Sequence, residues 1–252
     1  MHSPGKPVLE ICSSGLDALV AARFPGVSRI ELCSSLETGG ITPPMSLMEY
    51  VCSNVTVPVH VMIRPRSGDF LYTDDEFNLM KTDIRHARKA GASGVVFGIL
   101  KNDGAIDRER CMELKSLADP MKSTFHRAFD MTVEPFFALE EIIAIGCETL
   151  LTSGQHQTAE DGLELIRELV KRAASRIEIM AGSGVNAGNV ELLYEAGVRA
   201  FHFSARIKRE SAMQFQNEAL QSMGNRSLMD EYSRYYFDED KVQGILTALG
   251  VL

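Results

Sequence analysis

The chain has 252 residues, of which 45% are hydrophobic and 24% charged, a balance that is typical of a globular protein with a large core. Its formal net charge of -8 argues against nucleic acid or an anionic membrane as the main partner, because both attract a clustered basic face. The sequence shows no secretory signal pattern, and no run approaches the roughly 20 apolar residues of a membrane span.

Eight short β-rich runs alternate along the chain with segments of helical periodicity. The predicted strands are Val8–Cys12, Arg29–Cys33, Pro58–Arg64, Gly94–Leu100, Ser123–His126, Thr149–Thr152, Arg176–Ala181 and Ala200–Phe203. The clearest helical segments are Asp74–Ala90, Asp107–Leu117, Glu134–Ile145, Ala159–Arg172 and Ala187–Ala196. This alternation indicates repeated βαβ units and a parallel sheet.

The repeated units predict one closed barrel. Glycines fall just beyond three predicted helices, at Gly91, Gly146 and Gly197, where a residue with positive φ commonly ends a helix. Eight units without a linker predict a single domain over residues 1–252, closed as a (β/α)8 barrel of the TIM type, for which about 250 residues are typical. We expect the functional site at the mouth that the C-terminal ends of the strands form.

The last unit is predicted to be longer than the others. An irregular polar insertion over about residues 207–238 separates the last strand from a final helix over about residues 240–249. The insertion lies on the side where TIM-barrel loops build the active face, which favours a lid or an interface. A solvated loop without a role is the alternative.

Side-chain alternation along the strands predicts an unusually polar barrel interior. In the first two strands the apolar residues face the helices, which leaves a Glu-x-Cys pair facing inward on each. TIM-barrel interiors are normally filled by Val, Ile and Leu, and a buried charge must be paired, ligate a metal or face a wet mouth. The predicted inward residues are Glu10, Cys12, Glu31, Cys33, His60, Met62, Arg64, Thr124, His126, His202 and Ser204.

Residues at or near the strand ends are candidates for acid–base chemistry. The two inward glutamates are either catalytic or metal-binding groups, or structural partners of Arg64 and Arg127. His126 ends the fifth strand, whereas His60 and His202 lie within strands, where a hydrogen-bonded core histidine is the commoner finding. The candidate catalytic residues are Glu10, Glu31, Arg64, His126, Arg127 and Asp130.

Four loops at the predicted mouth carry features that suit a bound ligand or anion. Gly39 and Gly40 suit a tight turn, and Arg64 with Arg66 suits an anion clamp. The loops after the seventh and eighth strands lie where many TIM barrels bind phosphate through backbone N–H groups. The candidate phosphate-binding residues are Gly182, Ser183, Gly184, Ser204, Ala205 and Arg206. The alternative is a turn and a solvated basic edge for the loops of Gly39 and Arg64, and a plain glycine turn for the loop of Gly182 to Gly184.

The cysteines do not suggest a disulfide framework. They are five in number and are spread through a chain of medium length, which is typical of reduced thiols in a cytoplasmic protein. Cys52, Cys111 and Cys147 lie in or beside helical segments and are expected to be small core residues.

Several segments, in the same order along the chain, resemble the CutC copper homeostasis proteins. The match runs from about residue 8 to the final helix and comprises Arg29–Cys33, Gly39–Pro43, Val61–Arg66, Gly68–Phe70, Phe125–Asp130, Leu151–Gly154 and Phe201–Arg206. The combination is specific, because these motifs are not general to TIM barrels. The resemblance implies a cytoplasmic TIM barrel that forms a homo-oligomer and takes part in copper handling.

The resemblance also implies copper(I) as the bound metal, with Cys12 and Cys33 matching the two family cysteines at the first two strand ends. Cu(I) is soft and prefers thiolate or thioether ligands, and Met62 could supply a third donor. Neighbouring strands lie about 4.8 Å apart, so two strand-end thiols could share one ion. The same spacing is compatible with a disulfide under oxidation.

Two functions of different class follow. The first is a cytoplasmic protein that buffers or delivers Cu(I) through the two strand-end cysteines. The second is an enzyme that acts on a small phosphorylated or carboxylated substrate, with His126 or a glutamate as acid or base and Arg64 or Arg66 as the anion anchor. The polar mouth and the candidate phosphate loops favour the second function, whereas the resemblance favours the first.

Overall fold

Eight parallel strands close into a barrel in the computed structural model, which describes residues 6–217, 219 and 231–251. The strands are β1 (Val8–Ser13), β2 (Arg29–Leu32), β3 (Val59–Met62), β4 (Gly94–Phe97), β5 (Lys122–Phe125), β6 (Thr149–Thr152), β7 (Glu178–Gly182) and β8 (Ala200–Phe203). They pair in chain order, and β8 closes the barrel against β1, with Val8 opposite Ala200. The predicted TIM barrel is confirmed.

Helices follow the strands and cover the outside of the barrel. They are α1 (Asp17–Ala21), α2 (Met45–Asn54), α3 (Asp74–Lys89), α4 (Arg108–Ala118), α5 (Pro135–Ile145), α6 (Leu163–Ala173), α7 (Val190–Glu195) and α8 (Glu239–Ala248). The main hydrophobic core lies between the helices and the outward strand residues, such as Leu9, Ile11 and Ile30. Among the described residues, no helix combines the length and the apolar character that crossing a membrane requires.

The element bounds differ from the predicted ones mostly at their ends. Gly91, Gly146 and Gly197 have φ values of 86°, 89° and 97°, as expected for residues that end helices. The predicted strands at Pro58–Arg64 and Gly94–Leu100 extend too far, because the chain leaves the ladder at Met62 and Phe97. Arg64 and His126 therefore stand in the connections just beyond their strands, at the mouth of the barrel.

The insertion after β8 is less irregular than predicted. Its two ends form an antiparallel hairpin of β9 (Arg206–Glu210) and β10 (Ser233–Phe237). Three consecutive aromatic residues in β10 and a β-branched isoleucine in β9 favour strands over an irregular loop. Residues 218 and 220–230 of the predicted insertion lie outside the described residues. The chain then forms α8, and Asp238 caps this helix by accepting a hydrogen bond from the Asp240 N–H.

Candidate metal centre and barrel mouth

A cavity of about 800 Å³ opens at the C-terminal ends of the strands, where TIM-barrel enzymes carry their sites. The predicted site residues that line it are Cys12, Glu31, Arg64, His126, Arg127, Ser183, Gly184, Ser204, Ala205 and Arg206. Four further predicted site residues stand behind this lining or beside it: Glu10, Cys33, Asp130 and Gly182. One cavity thus unites the candidate metal, acid–base and phosphate residues.

Cys12 and Cys33 form a pair of unbonded thiols, called the thiol corner below. Their Sγ atoms are 3.8 Å apart, and both side chains are buried. The Cys33 Sγ also lies 3.6 Å from the Ser13 carbonyl oxygen. Met62 packs with both cysteines in a small apolar cluster, so a thioether side chain stands beside the two thiols. Three soft donors therefore converge beside the cavity.

Glu31 and His202 add a carboxylate and an imidazole to the thiol corner. The Cys12 thiol donates to Glu31 Oε2 at 2.9 Å, and His202 Nε2 lies 3.8 Å from the same oxygen. One donor atom each from Cys12, Glu31 and His202 lies within 4.8 Å of the others, a spacing that suits a metal ion. Glu31 Oε1 is buried and has no partner among the described residues.

Burial and neighbouring groups raise the pKa of two members of this cluster. The hydrogen bond with Cys33, burial and the nearby Glu31 raise the pKa of the Cys12 thiol well above its ordinary value. Burial, with a contribution from the Glu10 charge, also raises the pKa of Glu31. The Cys12 thiol is therefore protonated at neutral pH, and a metal that binds its sulfur must displace that proton.

Glu10 lies behind His202 and is fully buried. Its Oε1 atom lies 2.7 Å from His202 Nδ1, and its Oε2 atom accepts from Arg29 Nε. Burial opposes ionisation, but Arg29 and the hydrogen-bonded His202 outweigh it and lower the pKa of Glu10 to about 2. A carboxylate on Nδ1 fixes the imidazole so that Nε2 faces the cavity, as in many metal sites.

These contacts correct the expected partners of the two glutamates. Neither Arg64 nor Arg127 pairs with Glu10 or Glu31; the partner of Glu10 is Arg29, which also faces the barrel interior. The reason is register, because the Cα atoms of Glu10 and Arg29 stand opposite each other on β1 and β2. The predicted role of a core histidine suits His60, which lies beneath the mouth. It does not suit His202, which belongs to the cavity wall.

Arg64 organises the loops after β2 and β3. Its Nη atoms donate to the carbonyl oxygens of Thr38, Gly40 and Gly68 at 3.1, 2.9 and 2.7 Å. Its Nε atom is buried and has no partner among the described residues. Arg66, the other half of the expected clamp, pairs instead with Glu76 at 2.6 Å and is not part of the cavity wall.

His126 is a buried, neutral histidine. Burial and the nearby Arg64 lower its pKa to about 3. Its Nδ1 atom accepts from the Ala128 N–H at 3.2 Å, so the ring proton is on Nε2. That Nε2 atom is buried and has no partner among the described residues. His126 thus presents an unused donor, as Arg64 does.

Arg127 and Asp130 form an ion pair of 2.8 Å at the edge of the cavity. Asp130 also accepts from the backbone N–H groups of Ser153 and Gln155 at 3.0 and 3.1 Å. These bonds hold the connection after β6 against the turn after β5. The geometry therefore gives Asp130 a structural task, and its catalytic role stays a prediction.

The loops after β7 and β8 have left-handed backbone at the cavity wall. Ser183, Gly184 and Ala205 have φ values of 74°, 75° and 42°, whereas Gly182 belongs to β7. The Ser183 hydroxyl donates to the Gln157 carbonyl oxygen at 2.7 Å. The phosphate-binding role of these loops stays a prediction.

Comparisons with known proteins now identify the family. The sequence model of the CutC family matches residues 7–207. The chain belongs to the CutC family. It is 45% identical over 237 residues to a human protein named copper homeostasis protein cutC homolog, covering 94% of this chain and 86% of that one. A CutC family protein of Histophilus somni is 42% identical, with coverage of 94% and 97%. A crystal structure of a CutC protein from Streptococcus agalactiae superimposes with a TM-score of 0.73 at 32% identity, covering 79% of this chain and 98% of that chain.

Two residues of the site in this CutC protein escaped the sequence analysis. Arg29 is two residues before Glu31, so the alternation that placed Glu31 inside the barrel also predicts Arg29 there. Lys241 lines the cavity from α8, which follows the hairpin. No local pattern could have placed it there, because its position depends on how the chain returns to the barrel after residue 238.

Proposed function

We propose that this CutC protein binds Cu(I) at its thiol corner and serves copper homeostasis by buffering or delivering the ion. The observation that carries the proposal is the unbonded pair of buried Cys12 and Cys33 sulfurs, 3.8 Å apart. Two metal–sulfur bonds of about 2.3 Å span sulfurs up to about 4.6 Å apart, so one ion can contact both.

The donor set suits a soft monovalent ion. Cu(I) prefers thiolate and thioether sulfur, and the thiol corner with Met62 offers both. Imidazole is also an acceptable ligand, and His202 presents its Nε2 atom beside Cys12. The hard carboxylate of Glu31 is the least suited donor, so we assign it a different task.

Glu31 is the proton acceptor for the incoming metal. Its Oε2 atom already accepts the Cys12 thiol hydrogen at 2.9 Å, and burial raises the pKa of Glu31. When the ion bonds to the Cys12 sulfur, the thiol proton passes to this oxygen. Because the transfer leaves a thiolate on Cu(I) and a neutral acid beside it, no additional buried charge remains.

An anaerobic Cu(I) titration with a competing chromophoric chelator tests the proposal. We expect Cys12→Ser and Cys33→Ser each to weaken Cu(I) binding by at least about a hundredfold, because each removes a sulfur ligand. Cys52→Ser is the matched control, since Cys52 lies on α2 away from the cavity. Wild-type affinity in both Cys12→Ser and Cys33→Ser would exclude this site.

The cellular setting is part of the same proposal. All five cysteines are unpaired, which suits the reducing cytoplasm where Cu(I) is the stable form. Self-association into a homo-oligomer stays a prediction from the family resemblance. The described hairpin region exposes Met213 and Phe215, whose side chains a second copy could cover.

A further inference from the structure

The cavity is much larger than a bare metal ion needs. Its volume of about 800 Å³ is within the range of small-molecule sites, and the thiol corner occupies only one side of it. The remaining wall comes from the connections after β3, β5, β7 and β8 and from α8.

Three unused nitrogen donors belong to residues that line this space. They are Arg64 Nε, His126 Nε2 and Arg206 Nε, all buried and without a partner among the described residues. The side chains of Arg64 and His126 are only 6% and 3% exposed, so water does not readily compensate these donors. A buried donor without an acceptor is costly, which indicates that an acceptor belongs between them.

The charge of the wall has the sign that fits an anion. Arg64, Arg127, Arg206 and Lys241 line the cavity, against Glu31 and Asp240. The charge of Arg127 is neutralised by its ion pair with Asp130, which is not part of the cavity lining. Arg64 forms no ion pair with a described carboxylate. Lys241 donates to the Arg206 carbonyl oxygen, which fixes both cations at one edge.

The backbone of the loop after β7 adds neutral donors to the same wall. The consecutive left-handed residues Ser183 and Gly184 turn the chain at the cavity. The N–H groups of Gly184 and Val185 donate to no acceptor in the described part of the chain. Backbone N–H groups in such turns commonly hold anions.

We infer that the mouth binds a small organic anion, a phosphate monoester or a carboxylate. Its acidic group lies against Arg206, Lys241 and the loop of Ser183 and Gly184. Polar oxygens of its body accept from Arg64 Nε and His126 Nε2. The site goes beyond copper binding and does not depend on it, although both share one cavity.

Isothermal titration calorimetry on copper-free protein tests the inference with three probes: inorganic phosphate, glycerol phosphate and succinate. We expect saturable binding of at least one probe. The double variant Arg206→Gln/Lys241→Gln should weaken it by at least about tenfold, because it removes two charge-assisted contacts. Lys89→Gln is the matched control, since Lys89 is an exposed cation in the last turn of α3.

The outcomes distinguish a phosphoryl ligand from a carboxylate ligand, and they distinguish the anion site from the copper site. Tighter binding of the phosphate probes assigns a phosphoryl ligand, and tighter binding of succinate assigns a carboxylate. Absence of saturable binding for all three up to roughly 10 mM, or equal binding in the double variant, overturns the inference. Cys33→Ser should keep its anion affinity, and the double variant should keep its Cu(I) affinity, so either site can fail alone.

Discussion

At the scale of single residues, the centre of the barrel depends on one buried carboxylate with two basic neighbours. Glu10 accepts from Arg29 and contacts His202, and it has no exposed surface. Because the charges are paired, the free energy of burying them is offset. Replacing the carboxylate with an amide would leave the buried Arg29 guanidinium with only its longer ion pair to Glu178, at 3.8 Å.

We predict that Glu10→Gln lowers the free energy of unfolding by about 3 kcal/mol, as expected when one partner of a buried ion pair is removed. Urea unfolding followed by circular dichroism measures it. Glu140→Gln is the control, because Glu140 and Arg176 form their ion pair at the exposed surface, where solvent screens it. Equal losses in the two variants would show that Glu10 is not a structural anchor.

Sequence alternation predicted the inward glutamates and cysteines at the mouth, because a strand places every second side chain on one face. It did not predict which charges meet. The choice of Arg29 rather than Arg64 as the partner of Glu10 depends on the register of β1 and β2, and a single sequence does not display that register. The sequence also could not show that Arg64 Nε and His126 Nε2 have no acceptor, because this depends on contacts between distant segments.

At the scale of elements, the packing of β4 against β3 depends on a glycine that stands opposite a histidine. Gly94 stands opposite His60 on β3, and a Cβ atom at Gly94 would lie 2.5 Å from two atoms of that ring. The glycine is therefore required by packing across the barrel interior. The ring is buried and has little room to move.

We predict that Gly94→Ala lowers the free energy of unfolding by about 2 kcal/mol through overpacking. Gly15→Ala is the matched control, because a Cβ atom there would have no neighbour within 4 Å. Thermal and urea unfolding of both variants provide the comparison. A Gly94→Ala protein as stable as Gly15→Ala would mean that the His60 ring can yield.

The sequence predicted the number and order of the barrel elements, because period-two and helical patterns are local. The hairpin at the ends of the insertion was missed, since β9 and β10 are joined by more than twenty residues and pair only across that gap. The volume of the mouth depends in part on where this hairpin returns the chain to α8. Local sequence patterns do not predict such pairing between distant segments.

At the scale of the whole molecule, buried neutral histidines make stability depend on pH. Burial lowers the pKa of His126 to about 3 and that of His60 to about 4. Between these values and about 6.5, the unfolded chain binds protons that the folded protein does not, so stability falls as the pH falls. His202 acts in the opposite direction, because Glu31 and Glu10 overcome the effect of burial and raise its pKa.

We predict that the wild type loses about 2 kcal/mol more stability than His126→Asn between pH 7 and pH 4.5. The asparagine keeps an acceptor for the Ala128 N–H but cannot bind a proton. Urea unfolding of both proteins at both pH values measures how much their losses of stability differ. The same loss in the two proteins would show that His126 is protonated in the folded state near its ordinary pKa.

The central claim is that Cu(I) binds to the sulfurs of Cys12 and Cys33 at the barrel mouth. The most direct test is X-ray absorption at the copper edge on the Cu(I)-loaded protein, with Cys33→Ser beside it. We predict at least two sulfur scatterers bonded to copper in the wild type and one fewer in the variant. Copper bound only to nitrogen and oxygen, or a sulfur count unchanged in Cys33→Ser, would contradict the claim.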